Sequence, residues 1–384
     1  MKFCLINNLY GPYAKGGAEK VIEKIKNELL LEGHEVIIVS TRPWFKKPQE
    51  SQESPGHYYL RSLYHHLGRL PKVFRLFYHV LSFLNIFVYL KLFFLIKKHK
   101  VSVLWTNNLT GLGPWVFKLA GHVKDHLHTV HDIQLLHPSG LLLFKQEKLL
   151  NSLASKIFRF LNKQFISIKT RVIFPSEWIR DLHLDKGLFK NSLNLTLANP
   201  IKINKDYALD SNKIVNDSKE ITFLYVGQIE RHKGIEILLQ AFCELEHDAI
   251  SLKIAGQGGM KDYLSSRYND QRIKWLGQLE SKKVNELMKE ANCLIVPSLC
   301  YENQPTVILE ARAFNLPVLA SCLGGTNELL KQSFLFKPTK EDLKRALNDF
   351  LNNPNKENIS CYLDQELFET KEYLEKVLDL LVID

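Results

Sequence analysis

The chain has 384 residues, 45% of them hydrophobic and 24% charged, with a formal net charge of +10. That length exceeds what one hydrophobic core ordinarily serves and suits two domains; the composition excludes a disordered, collagenous or multi-span membrane protein. Charge is uneven: residues 1–200 carry 28 Lys+Arg against 13 Asp+Glu and residues 201–384 carry 23 against 28, or +15 and −5, which points to an anionic partner for the first half.

Residues 3–6 form a short apolar run that turns polar at Asn7, so no signal-peptide core develops and a cytoplasmic protein is expected. A glycine loop, Lys15-Gly16-Gly17-Ala18, leads into Ala18, Val21, Ile22, Ile25, Leu29 and Leu30 at helical spacing, which Gly33 stops. Residues 35–40 read as the next strand. Strand, glycine loop, helix, strand opens a parallel α/β unit. The same order recurs from residue 221: a strand over 221–226, a polar loop from Gly227 to Gly234, a helix face of Ile235, Leu238, Leu239 and Phe242, then a strand over 251–255. Two doubly wound domains in tandem are therefore expected, over 1–199 and 220–366. Residues 200–219, polar and poor in apolar side chains, form the linker, and 367–382 a closing helix. The six cysteines are scattered without a Cys-x-x-Cys pair, so a disulfide framework or zinc ribbon is not expected.

Residues 73–96 are dense in Phe, Leu, Tyr and Val, and residues 61–100 carry eight basic residues and no acidic one. A spanning helix needs about 20 apolar residues, and Asn85 and Lys91 interrupt this run. Two readings stay open: a buried helix of the first domain, or a helix or hairpin on an anionic membrane, both holding if one face packs and the other docks. No pattern of a nucleic-acid module is present.

Gly16 and Gly17 sit where backbone N–H groups can approach a phosphate at a helix start, or form an ordinary tight turn. In the loop 227–234, Lys233 can meet a diphosphate as a point charge with Arg231 as a fork partner. Gly256-Gln257-Gly258-Gly259 reads as a turn. The richest segment runs from Pro297 to Ala311. After a strand over 293–296, Pro305 suits the first helical position, and the N–H groups of Thr306 and Val307 point to the strand's carboxyl end, where ligands bind in open α/β sheets. On one helix, Glu302 and Glu310 would lie about 12 Å apart, too far for a paired acid and base that needs roughly 5–5.5 Å. They read instead as acceptors for separate hydroxyls of one extended ligand. Gly324-Gly325 opens the next helix. Ser176 reads as a helix N-cap and Trp178 as core. His65-His66 and His126/His128 lack a third ligand, and there is no Asp-x-Asp, so no metal is expected.

These motifs occur in the order and spacing of a known family. The Gly16-Gly17-Ala18-Glu19 loop, Thr106-Asn107-Asn108-Leu109, Val130-His131-Asp132, Pro175-Ser176, the Lys233-Gly234 loop and Glu302-x7-Glu310 followed by Gly324-Gly325 resemble glycosyltransferase family 4, retaining transferases of GT-B architecture, over nearly the whole length. The resemblance implies two Rossmann-like domains facing a central cleft, and a last helix that returns to the first. It implies that Lys233 binds the donor diphosphate and Glu310 the nucleotide ribose, while Glu302 with Asn303, Gln304, Pro305 and Thr306 holds the donor sugar. Gly16 and Gly17 would approach the phosphates and His131 would sit near the reaction centre, although His131 also reads as a plain polar residue at a strand end. Two departures stand out: Gln228 where many members carry Arg, and His137-Pro138 where many carry Cys-Pro.

The expected activity is retaining transfer of a sugar from a nucleotide diphosphate, UDP-sugar first, to an acceptor hydroxyl without cofactor or metal. The setting the resemblance implies is assembly of a bacterial surface polysaccharide or glycolipid on the inner membrane face. Two rivals remain: a silent nucleotide-sugar-binding partner, which Gln228 makes conceivable, and a nucleotide-sugar epimerase or hydrolase of the same architecture.

Overall fold

A computed structural model describes residues 1–14, 16–45, 56–69, 71–201, 220–352, 361–363 and 368–382. The expected linker over 200–219 and Lys15 thus lie almost wholly outside the described residues. The chain divides into two compact units, one of 1–142, 146–200 and 368–384, the other of 143–145 and 201–367.

Unit 1 carries β1 (Lys2–Ile6), α1 (Gly17–Leu31), β2 (Glu35–Pro43), β3 (His57–Ser62), α2 (Lys72–Ser82), α3 (Ile86–Lys98), β4 (Val103–Thr106), β5 (Asp125–Thr129), α4 (Leu153–Lys163), β6 (Thr170–Phe174), α5 (Glu177–Asp185) and β7 (Asn194–Thr196). Its sheet runs β3-β2-β1-β4-β5-β6-β7, and each adjacent pair is parallel. Apolar residues of β1, β4 and β5, with Phe3, Leu5, Trp105 and Leu127 fully or almost fully buried, meet Val21, Ile22, Ile25 and Leu29 of α1. Ser176 accepts the Ile179 N–H at 3.3 Å and caps α5; Trp178 is only partly buried.

The inner strand β5 carries buried polar side chains. Thr106 Oγ1 donates to the Leu127 carbonyl at 3.1 Å and contacts His126 Nε2 at 3.0 Å and His128 Nδ1 at 2.9 Å, while His126 Nδ1 lies 2.9 Å from Thr170 Oγ1. With the threonine proton spent on a carbonyl, both histidines donate to its oxygen. Burial lowers both below their ordinary range, which keeps the two imidazoles neutral.

Unit 2 carries β8 (Ile221–Val226), α6 (Ile235–Cys243), β9 (Ile250–Ala255), α7 (Lys261–Arg267), β10 (Ile273–Gly277), α8 (Ser281–Glu290), β11 (Cys293–Val296), α9 (Thr306–Arg312), β12 (Val318–Ser321), β13 (Leu335–Phe336) and α10 (Lys340–Asn352). Its parallel sheet runs β10-β9-β8-β11-β12-β13, around Phe223, Leu224, Leu238, Leu239, Phe242 and Leu294. The closing helix α11 (Thr370–Asp379) is shorter than the expected 367–382 because Glu369 and Glu372 cap it at its start. It belongs to unit 1, where Tyr373, Leu374 and Val377 join the core beside α1.

Two expectations are corrected and one open reading is narrowed. Pro305 precedes α9 as its N-cap instead of occupying its first position, which shifts the start by one residue. Gly324-Gly325 opens only a 3-10 turn, Gly325–Glu328, because the chain leaves it for β13 within ten residues. The stretch over 73–96 is two helices broken at Phe83-Leu84-Asn85, and only 17% of the apolar window within Tyr78–Lys98 is buried.

Candidate active site

In each sheet the strand order reverses once, between β1 and β4 and between β8 and β11. Adjacent connections there leave in opposite directions and open a crevice at the strands' carboxyl ends. The candidate residues of each unit gather at its own reversal.

In unit 2, the loop after β8 turns through Arg231–Lys233 and ends at Gly234, whose φ is +69°. A Cβ on Gly234 would fall 1.7 Å from the Pro297 carbonyl oxygen, so only glycine lets this loop lie against the end of β11. The Leu299 N–H donates to the His232 carbonyl at 2.8 Å and ties the two loops. Lys233 Nζ then meets Glu302 Oε1 at 2.6 Å. The same oxygen accepts the Ser298 hydroxyl at 2.7 Å, with Cys300 Sγ at 3.7 Å. Burial opposes charge on both partners, but their mutual attraction outweighs it: Lys233 is held above its ordinary range and Glu302 below. Both are ionised at neutral pH. The Glu302 backbone is held as well, its carbonyl accepting the Gly325 N–H at 2.9 Å in a parallel bridge with Gly324.

Asn303, Gln304 and Pro305 are buried behind Glu302; Thr306, Val307 and Glu310 on α9 are partly buried. Glu302 stands outside α9, so the single-helix geometry does not apply to the two glutamates. Arg231 is exposed, and the Gln228 carbonyl accepts the Tyr225 hydroxyl at 2.6 Å. Ser298 and Cys300 lie inside the segment 297–311, four and two residues before Glu302, but its motif assigns them no role; Tyr225 near the end of β8 carries no signal in the sequence.

In unit 1, Asn7 and Asn107 follow β1 and β4. Asn107 Oδ1 lies 3.0 Å from His131 Nε2; the amide oxygen accepts, so Nε2 carries the proton. Burial lowers His131 to about 4, and it is neutral at pH 7. Asp132 is raised to about 7, by burial first, with Glu19 adding to it and the Gln134 N–H opposing it; that N–H donates to Oδ1 at 2.7 Å. Gln134, which sequence reasoning passed over, organises the site. Its Oε1 accepts the Leu109 and Thr110 N–H groups at 2.8 Å and the Thr110 hydroxyl at 2.9 Å, and its Nε2 donates to Asn108 Oδ1 at 2.8 Å. Gly16 and Gly17 begin α1, but the Gly16 N–H donates to Glu19 Oε2 at 2.8 Å, so the helix supplies its own anion there. No group of three or more His, Cys, Asp or Glu side chains fit to hold a metal occurs among the described residues.

Two tandem doubly wound units, the second with an ionised Lys–Glu pair at its reversal, define the class as a glycosyltransferase of GT-B architecture. The family described as "Glycosyltransferase Family 4" matches residues 15–192 and that described as "Glycosyl transferases group 1" matches residues 206–360; the chain belongs to this family of glycosyltransferases. A Klebsiella pneumoniae relative, "Uncharacterized 42.6 kDa protein in cps region", is 25% identical over 86% of this chain and 87% of its own. "Uncharacterized glycosyltransferase MJ1607" of Methanocaldococcus jannaschii is 36% identical over 41% of this chain and 40% of its own. Among solved structures, Anabaena Alr3699/HepE in complex with UDP-glucose superposes with a TM-score of 0.70 at 19% identity, over 100% of this chain and 99% of that one.

Proposed function

We propose that the protein is a retaining, metal-independent transferase that moves a sugar from a nucleotide diphosphate, UDP-sugar first, to an acceptor hydroxyl. One observation carries the reading: the ionised Lys233–Glu302 pair at the carboxyl ends of β8 and β11. An ammonium fixed there opposes the charge that grows on a departing diphosphate, and it costs no reorganisation because the pair is already assembled. Glu302 suits holding a sugar hydroxyl better than attacking carbon, since one oxygen already takes Lys233 and Ser298. Neutral His131, aligned by Asn107, is suited to a hydrogen bond near the reaction centre. In keeping with the family, the leaving phosphate helps to take the acceptor proton. The UDP and UDP-glucose named for Anabaena HepE support the donor class. The "cps region" of the Klebsiella relative, and the "Putative teichuronic acid biosynthesis glycosyltransferase TuaC" of Bacillus subtilis, support a role in surface polysaccharide or glycolipid assembly; within this proposal the acceptor is membrane-borne, at the inner membrane face.

The test is nucleotide release and thermal shift across UDP-, GDP- and ADP-sugars with EDTA present. A selective shift with EDTA-resistant release, lost in Lys233→Ala and Glu310→Ala, is the expected result. Release unchanged in both variants overturns the reading.

A further inference from the structure

Helix α4 is built inside out. Its inner face is polar: Ser155 donates to the Leu149 carbonyl at 2.7 Å, Arg159 to the Leu150 carbonyl and Asn162 to the Leu135 carbonyl at 3.0 Å. Its outer face is apolar, with Leu153, Ile157 and Phe160 exposed by 73%, 51% and 63%, and Lys156 and Lys163 exposed among them. A helix that spends its polar side chains on backbone carbonyls and turns its apolar stripe outward is not stabilised by water on that side. Helix α3 shares only the outer half of this pattern: it buries an apolar face of Val88, Leu92 and Ile96, yet also exposes Phe87, Leu90 and Phe94 with Lys91 and Lys97. The two are linked through Trp115, whose ring lies 6.0 Å from Tyr89 of α3 and 5.0 Å from Phe165 just past α4; its indole N–H donates at 2.7 Å to the carbonyl of Phe83, in the break before α3, whose ring lies 5.5 Å from Phe158 of α4.

Charge selects the occupant. Residues 148–176 carry six basic residues and no acidic one, as residues 61–100 carry eight and none. Apolar rings interleaved with lysines, with no carboxylate on either helix, match an anionic lipid surface, where acyl chains take the rings and headgroup phosphates the ammonium groups. We propose that α4, with α3 beside it, seats unit 1 on an anionic bilayer. The assignment rests on the membrane-borne acceptor proposed above and adds a physical link to it. Asn162 of α4 holds the Leu135 carbonyl, one residue from Gln134, so the docking helix is fastened to the segment that orders the loop after β4.

The test is flotation of the full chain with vesicles of phosphatidylcholine alone and of phosphatidylcholine with phosphatidylglycerol. Binding is expected only to the anionic vesicles, weakening with salt. Lys156→Glu with Lys163→Glu should loosen it by roughly fivefold or more per position, and Ile157→Glu with Phe160→Glu should abolish it, while Leu193→Glu, at an exposed position elsewhere, leaves it unchanged. Circular dichroism and the thermal shift given by UDP, measured on the same preparations, should not move in any variant. A failure of vesicle binding is thereby separated from a failure of the donor site. Equal binding to both vesicle types, or no binding, overturns the proposal. So does a dimer seen by light scattering that Ile157→Glu with Phe160→Glu dissolves without any vesicle binding, which would make the face a self-association surface.

Discussion

Glu302 is gripped at both ends: Lys233 takes its carboxylate at 2.6 Å, and the Gly324–Gly325 turn takes its backbone. The side chains are 27% and 17% exposed, so water screens the pair only in part. Removing one partner of a fully buried pair costs about 3–5 kcal/mol. With this exposure, Glu302→Ala should cost about 2 kcal/mol in urea unfolding. Lys233→Ala should cost a similar amount, and the double variant clearly less than the sum of the two. Additive losses would show that the pair is not coupled.

Gly324 adopts φ +62°, and a Cβ there would lie 2.3 Å from the Glu302 carbonyl oxygen. Gly324→Ala therefore forces the bridge apart, at a cost of about 1–3 kcal/mol. Its thermal shift by donor nucleotide should fall further than that of a variant equally destabilised away from the loop, such as Ser176→Ala. An unchanged nucleotide shift would show that the backbone bridge does not position Glu302.

Gln134→Leu keeps the volume but strands the Leu109 and Thr110 N–H groups that converge on one amide oxygen. Each buried donor left unsatisfied costs about 1–3 kcal/mol, and together a loss on the order of 2–4 kcal/mol is expected, read as a lowered unfolding midpoint. Amide exchange at residues 109 and 110 should speed up selectively. Uniform acceleration across unit 1 would refute the local assignment.

Acid should destabilise unit 1 through its histidines. Burial holds His126 at about 3 and His183 at about 4, and His128 well below its ordinary value, whereas unfolded histidine titrates near 6.5. The unfolded chain thus binds the extra protons as pH falls below about 6.5, and stability is lost over the range down to about 4 for His183 and about 3 for His126. His126 and His183 each account for about 2 kcal/mol by pH 5, and His128 acts in the same direction. Asp132 works in the opposite sense: raised to about 7, it takes up its proton in the folded state first and returns part of the loss. His126→Gln should flatten the dependence of stability on pH between 7 and 5, and Asp132→Asn should steepen it. Slopes unchanged in both variants would contradict the assignment.

Local pattern reaches some of this architecture and not the rest. The strand over 293–296 and the one over 221–226 are visible because buried parallel strands read as unbroken apolar runs between glycine loops. Lys233 stands out because two cations in a short loop after a strand are unusual company. Helix α4 does not stand out, because periodicity finds an apolar stripe without saying which way it faces; that depends on carbonyls at residues 135, 149 and 150. The Gly324-Gly325 pair misleads for a related reason. Gly324 serves a close approach to Glu302, 22 positions earlier, and not the start of a helix. Gln134 bears no signature at all, since a single amide among apolar residues acquires its meaning from four partners supplied by the loop after β4.

Unit 1 is assembled from both ends of the described chain, with Tyr373, Leu374 and Val377 packed beside residues 21–29, while unit 2 borrows residues 143–145, whose Leu143 bridges to Cys300. Emerging from the ribosome in order, the chain would finish the larger part of the later unit before the earlier one can close its core. During synthesis the first sheet therefore waits with an apolar face uncovered, in the interval when chaperones have most to grip. A stop codon a few residues before α11 would wound the amino-terminal unit and spare the one nearest the break.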